Sequence, residues 1–223
     1  MSNTQTPQTI AIIGGHGQIA LRTTVLLHRA GHRVLSVIRN PDHTSDVEEA
    51  GGTAVVIDLE QSTGAELAAA IGGADTLLFA AGAGPNSGVA RKETVDHQGA
   101  LTTMAAAAVL NARVVQISYI GVSQTPPESV GEEFLAYQRA KYAADLALEA
   151  SALDWTIVRP GTLTDEPGTG LVAVGEFEIG PVSRDNVAAV LADVLVRPGM
   201  SGVSFDLLDG DTPVEGALST LTA

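Results

Sequence analysis

Short hydrophobic runs recur along the chain and alternate with longer amphipathic or alanine-rich stretches. The first run begins at Thr9. It passes without a polar linker through Gly14-Gly15-His16-Gly17 into a helical pattern carried by Ile19, Leu21, Val25 and Leu26. Ala30-Gly31 ends that helix, and Arg33 to Arg39 reads as a second strand. The pattern then predicts a short helix near Asp46 to Ala50, a strand at Thr53 to Ile57, a helix from Thr63 to Ile71 and a strand at Asp75 to Ala80. A long helix is expected over Lys92 to Asn111, a strand over Arg113 to Ser118, a helix over Glu132 to Ala150 and a strand over Trp155 to Val158. Gly161 to Pro181, rich in Gly, Pro and acid, reads as a loop with short strands. Asp185 to Val196 reads as an amphipathic helix and Val203 to Leu208 as a last strand. The strands are apolar at nearly every position, as they are when helices cover both faces of a parallel sheet. With no internal repeat or dividing linker, the pattern predicts one doubly wound α/β domain over residues 9–223, after a polar, flexible N-terminus at 1–8.

The glycine-rich turn adds a candidate site to that fold. Gly14, Gly17 and Ala20 fit G-x-x-G-x-x-A, and Gly15, Gly17 and Ala20 fit G-x-G-x-x-A. Glycines in such a turn let the backbone approach a diphosphate. The free N–H groups and dipole of the new helix face its charge, and Ala20 lets helix pack closely on strand. No Lys-Ser/Thr pair follows, which excludes a Walker-type loop. Any tight strand-to-helix turn can carry these glycines. Their place directly after the first strand is what points to a dinucleotide held by Gly14, Gly17, Gln18 and Ile19.

Composition narrows the class. There are 223 residues and no cysteine, so disulfides, thiolate metal sites and thiol catalysis are excluded, and no metal site is expected. Twelve basic residues against twenty-six acidic give a formal charge of −14, which repels nucleic acid and anionic membrane surfaces. No apolar run reaches membrane-span length, and no basic segment with an apolar core precedes Thr9. These features predict a cytoplasmic protein, monomer or homodimer, whose partner is a small-molecule substrate.

The end of the second strand bears on cofactor choice. An acid there would bind a ribose 2′-hydroxyl, but Val37-Ile38-Arg39-Asn40 offers an arginine, which can fork two N–H groups onto a 2′-phosphate. NADP(H) is therefore expected in preference to NAD(H); the alternative is an exposed arginine at a strand end. His16 is either a second phosphate contact or an exposed loop residue. Asp58, before Leu59, either accepts from the adenine amino group or caps a turn. Ala80-Ala81-Gly82 opens a run of small residues where backbone can approach the central ribose and diphosphate. A second signal is Tyr137-Gln138-Arg139-Ala140-Lys141. A spacing of four puts tyrosine and lysine on one helical face in a chain whose only lysines are Lys92 and Lys141. A carbonyl reductase needs an acid for the developing alkoxide, and tyrosine serves if a nearby ammonium lowers its pKa. The alternative is a surface helix with Tyr137 packed on its neighbour.

On these residues the chain resembles an atypical short-chain dehydrogenase/reductase of the compact NAD(P)-binding group that includes NmrA-like and biliverdin reductase B/flavin reductase-like proteins. The resemblance rests on IGGHGQIA at 13–20, VIRNPDH at 37–43, DL at 58–59, FAAGAG at 79–84, VDHQGA at 95–100, QISYIGV at 116–122, YQRAKYAAD at 137–145 and LDWTIVRPGTLTDEPGTG at 153–170. It implies a Rossmann-like sheet of order 3-2-1-4-5-6 with a short seventh strand, and a nicotinamide bordered by Pro160, Gly161 and Thr162. It also implies a catalytic serine after the fifth strand. Here Ser118-Tyr119 stands where a Ser-Ser pair is common, so either Ser118 or Tyr119 supplies that hydroxyl. The expected function is NADPH-dependent reduction of a small carbonyl, quinone-like or conjugated substrate, with Tyr137 as proton donor and Lys141 beside it. The alternative is an NADP(H)-binding redox-sensing or regulatory module with little turnover. A sugar-nucleotide epimerase or dehydratase is disfavoured because only about sixty residues follow the sixth strand. Gly161 to Pro181 has few aromatic or basic anchors, which argues against a large anionic substrate.

Overall fold

The computed structural model describes residues 6–84, 86–127 and 129–222, so the expectation for residues 1–5 lies outside the described residues. Gln8 is already tied to the sheet. Its carbonyl accepts from the Arg33 N–H at 2.9 Å, and its own N–H donates to His32 Nδ1 at 3.2 Å. The chain then forms β1 (Thr9–Ile13), α1 (Gln18–Arg29), β2 (Arg33–Ile38), α2 (Thr44–Glu49), β3 (Thr53–Val56), α3 (Gly64–Ala70) and β4 (Thr76–Phe79). The helix expected from Lys92 begins earlier, as α4 (Val89–Arg91), and passes through a π-helical turn (Lys92–Gln98) into α5 (Gly99–Leu110). Next come β5 (Arg113–Ile117), α6 (Glu132–Glu149), β6 (Trp155–Pro160), β7 (Thr162–Thr164), β8 (Leu171–Gly175) and β9 (Pro181–Ser183). The chain ends with α7 (Arg184–Val194), β10 (Val203–Asp209), β11 (Thr212–Pro213) and α8 (Val214–Ser219).

The main sheet runs β3-β2-β1-β4-β5-β6-β10-β8-β11. Pairing is parallel from β3 through β10, and antiparallel from β10 to β8 and from β8 to β11. The seventh strand, expected to be short, spans seven residues, and two antiparallel strands extend the sheet beyond it. The apolar strands follow from burial on both faces. Ile10 and Ile12 of β1 enter one core with Leu27 of α1 and Val187 and Leu191 of α7. Ala11 and Ile13 enter the other with Leu67 of α3, Ala106 of α5 and Leu148 of α6.

This order places β1 between β2 and β4, so the chain winds outward in opposite directions from the β1/β4 pair. The connections after β1 and β4 therefore lead to helices on opposite faces of the sheet and leave a crevice at its carboxyl edge. The segment after β6 reaches the same edge. The Gly161 N–H donates to Leu207 O at 3.0 Å, and β7 pairs with β9 in a separate two-stranded sheet. A buried Asn186 side chain fixes that region, donating to Asp209 Oδ1 at 2.7 Å and to Leu171 O at 3.2 Å. Ser183 caps α7 by accepting from the Asn186 N–H. Arg184 is thereby held at the rim of the crevice.

Candidate functional site

The turn after β1 is built on two glycines with different tasks. Gly14 has φ +85°, and a Cβ there would sit 2.6 Å from Ala81 Cα, so only glycine lets the β1 and β4 loops meet. Its N–H and that of Gly15 both donate to Val37 O, and the Gly17 N–H closes the turn onto Gly14 O at 3.0 Å. Gly17 is the N-cap of α1 in extended conformation; no side chain caps the helix and no acid stands in its first turn. A Cβ on Gly17 would meet only Gly14 O at 3.3 Å and Ala20 Cβ at 3.9 Å, with open space otherwise. The first N–H groups of α1 thus open on the cleft with no acid of their own turn beside them, which suits a diphosphate.

Two cavities meet here, and the residues expected from the sequence divide between them. The smaller, about 310 Å³, is lined by Gly14, His16, Arg39, Asp58 and Leu59. The larger, about 900 Å³, is lined at one end by Gln18 and Ile19 and at the other by Ser118, Tyr137 and Lys141, with Pro160, Gly161 and Thr162 along its floor. Gly17, Ala80, Ala81 and Gly82 line both. A continuous groove therefore crosses the glycine turn at the β1/β4 switch.

The smaller cavity is a place of paired charges. The Arg39 guanidinium donates to Glu60 Oε2 at 3.1 Å instead of standing free. Arg91 donates to the same oxygen at 2.9 Å and Thr94 Oγ1 to Glu60 Oε1 at 2.6 Å. Those hydrogen bonds, Thr94 first and Arg91 next, hold the Glu60 carboxyl below the usual carboxylate range. His16 stacks on His43 with ring centroids 3.6 Å apart, and its Nε2 lies 2.7 Å from Asp46 Oδ2. Asp58 Oδ1 accepts from the Glu60 N–H at 3.0 Å, so it shapes the turn while also lining the cavity. Glu60 and Arg91 carry no motif and escape a reading of the sequence, because three distant segments bring them together.

The larger cavity holds the buried titratable groups. Lys141 is 4% exposed, and its Nζ donates to Ile117 O. Burial lowers its pKa, with Asp145 and Asp96 opposing the shift. Tyr137, four residues earlier on α6, does not gain the lowered pKa expected from that spacing. Burial raises it, and Asp96, Tyr119 and Asp145 push it further up. The reason is positional: the ammonium turns toward the end of β5, while carboxylates of two elements bear on the phenol. Tyr119 stacks on Tyr137 at 5.5 Å and is itself pushed up to about 12, chiefly by burial. Ser118 Oγ and Tyr119 Oη are buried and have no hydrogen-bond partner among the described residues. Two side chains not singled out earlier complete the wall. Asp96 accepts from the Ala83 N–H at 3.1 Å, and burial raises its pKa. Lys92 donates to Gly84 O at 2.5 Å and lies 5.7 Å over the Tyr137 ring. Both lysines of the chain thus line one cavity, a signal their scarcity could have given. Both Asp96 and Lys92 lie on the π-helical turn, a device frequent at functional sites.

Residues 14–198 match the NAD(P)H-binding family. The chain belongs to that family. Among relatives of this NAD(P)H-binding protein is one from Bacillus subtilis named an uncharacterized sugar epimerase, YhfK; it is 37% identical over 95% of this chain and 99% of its own. A solved structure from Bacillus halodurans, named as a candidate NAD-dependent epimerase/dehydratase, is 31% identical with a TM-score of 0.88, covering 96% of this chain and all of its own. The oxidoreductase ylbE from Lactococcus lactis is 26% identical with a TM-score of 0.81, covering 96% of each chain. The matched family and the shared fold agree with the resemblance to atypical short-chain dehydrogenase/reductases read from the motifs. Its own residues fit the nucleotide cofactor: an uncapped α1 N-terminus, a groove running both ways from it, and buried hydroxyls without partners at one end. Among the described residues, no helix is long and apolar enough to cross a membrane.

Proposed function

We propose that this protein is an NADPH-dependent oxidoreductase that reduces a small carbonyl, quinone-like or conjugated substrate. The observation that carries the reading is a cavity lined by Ser118, Tyr119, Tyr137 and Lys141, in which the buried Ser118 Oγ and Tyr119 Oη have no hydrogen-bond partner among the described residues. A buried hydroxyl without a partner costs stability, so a cavity that keeps two of them suits a ligand that supplies the missing acceptor. The nicotinamide, when bound, would supply the hydride. The turn at Gly14 to Gly17 and the N-terminus of α1 would hold the diphosphate, and Pro160, Gly161 and Thr162 would border the nicotinamide. Ser118 and Tyr119 would orient the substrate oxygen, Tyr137 would give it a proton, and Lys141 would hold the ribose.

Burial keeps Tyr137 a neutral phenol, and a neutral phenol can give its proton to an alkoxide, a far stronger base than phenolate, as carbonyl reduction requires. The substrate end is apolar, lined by Ile120, Phe134, Leu163 and Ile179, which suits a conjugated or apolar acceptor better than a sugar. Length does not separate the two, since the relative named an epimerase is covered over 99% of its length. The regulatory reading is favoured by one observation, the Tyr119 ring stacked on Tyr137 where a small serine would leave room. NADPH oxidation across a panel of aldehydes, ketones, quinones and flavins tests the proposal. Turnover is expected with at least one member. Tyr137→Phe should slow it by about 10²–10⁴ with NADPH affinity kept. NADPH binding with no turnover on any member would favour the regulatory module.

A further inference from the structure

Glu60 stands in the smaller cavity without a part in the roles above. Its partners come from opposite walls: Arg39 follows β2, whereas Arg91 ends α4 and Thr94 lies on the π-helical turn. The carboxylate thus bridges the pocket. The two sides of the bridge are unequal. Thr94 and Arg91 hold Glu60 from one wall at 2.6 and 2.9 Å, while Arg39 reaches it through a single nitrogen at 3.1 Å with its side chain 56% exposed. An exposed ion pair of that kind is weak, so Arg39 is the partner that can leave.

We propose that Glu60 is a built-in competitor of the cofactor's 2′-phosphate for Arg39: it holds Arg39 across the pocket until cofactor binds, yields it to the phosphate, and keeps Arg91 beside it as a second cation. This rests on the reading that the smaller cavity takes the adenosine end of a dinucleotide. The two arginines and Glu60 sum to one positive charge, and loss of the carboxylate doubles it. A phosphate monoester carries more charge than a carboxylate and offers three acceptor oxygens to the planar guanidinium, so it can displace Glu60 from Arg39. A 2′-hydroxyl has no such claim on the arginine. NADH would therefore leave the bridge closed, and Glu60 would set the margin between the two cofactors. The other titratable groups facing the pocket are Asp58 and the stacked His16 and His43, with Asp46 on His16.

Glu60→Gln keeps the length and an acceptor for Thr94 while removing the charge. Titration by nicotinamide fluorescence should show NADPH binding tightened about fivefold or more, with NADH unchanged within about twofold, and the gain should shrink as salt is raised. Arg91→Met should weaken NADPH and leave NADH alone. Calorimetric titration with adenosine 2′,5′-bisphosphate and adenosine 5′-phosphate should give the same discrimination, which places the effect in this pocket. Unmodified protein that binds NADPH while Glu60→Gln binds it equally or more weakly overturns this inference alone. A parallel shift in NADH also overturns it, since Glu60 would then serve ribose hydroxyls. Unmodified protein that binds none of the four nucleotides overturns the cofactor reading and this inference together.

Discussion

The two halves of the groove are built from opposite kinds of electrostatics. In the smaller cavity, charged side chains pair with one another near solvent: Arg39 is 56% exposed, and Glu60 is held as a carboxylate by Thr94 and Arg91. In the larger cavity, Lys141 and Asp96 are almost wholly buried, burial moves both toward neutrality, and Ser118 and Tyr119 present hydroxyls without partners. Exposed pairs are individually weak and exchange readily, so they suit selection between ligands of different charge. Desolvated groups respond strongly to any new dipole or charge, so they suit chemistry. The glycine turn between them is shared, and it is the one place where both halves must fail together.

Breaking the shared turn should have the largest effect. Gly17→Val adds a branched side chain on the open side of an extended residue, so the fold should tolerate it while the diphosphate loses its seat. NADPH affinity should fall on the order of a hundredfold or more, from loss of at least two charge-assisted hydrogen bonds. The circular dichroism spectrum should stay native. Tight binding retained in that variant would make the turn merely structural.

The selecting half can be tested by itself with a smaller expected change. Arg39→Ala should weaken NADPH roughly tenfold, the cost of one charge-assisted pair, and leave NADH nearly unchanged. Maximal turnover at saturating NADPH should not move, because Arg39 lies in the other cavity from Tyr137. A fall in turnover would dissolve the division between the halves.

The smallest effect is a pH dependence confined to the half with buried groups. Tyr119 and Tyr137 have folded-state pKa values raised above the ordinary value of about 10. A raised value means that their contribution to stability is complete below the unfolded value and is lost as pH rises through the folded ones. Stability from urea melts should therefore decline above about pH 10, and Tyr137→Phe should flatten part of that decline. A phenolate signal from Tyr137 near neutral pH would instead restore activation by Lys141.

The order of elements was legible because a sheet covered on both faces demands apolar strands, and the turns between them carry glycine or acid. The antiparallel extension was harder to read. β8 is a short apolar run, LVAVG, set among glycines and prolines, and the edge strand β11 is only two residues long. At the site, the spacing on α6 put Tyr137 and Lys141 on one helical face, and both line the larger cavity, but spacing could not say where the ammonium points. That depends on Ile117 O, which belongs to β5. Glu60, Arg91 and Asp96 were out of reach for the same reason: their meaning comes from partners on other elements, such as the Ala83 N–H for Asp96.

The account rests most heavily on a groove that binds a phosphorylated dinucleotide in one extended pose, and titration of the unmodified protein with NADPH and with NADH tests this directly. It expects one site per chain and NADPH tighter by roughly tenfold or more, the margin of one phosphate–arginine contact. Equal affinities, or binding of neither, would contradict it.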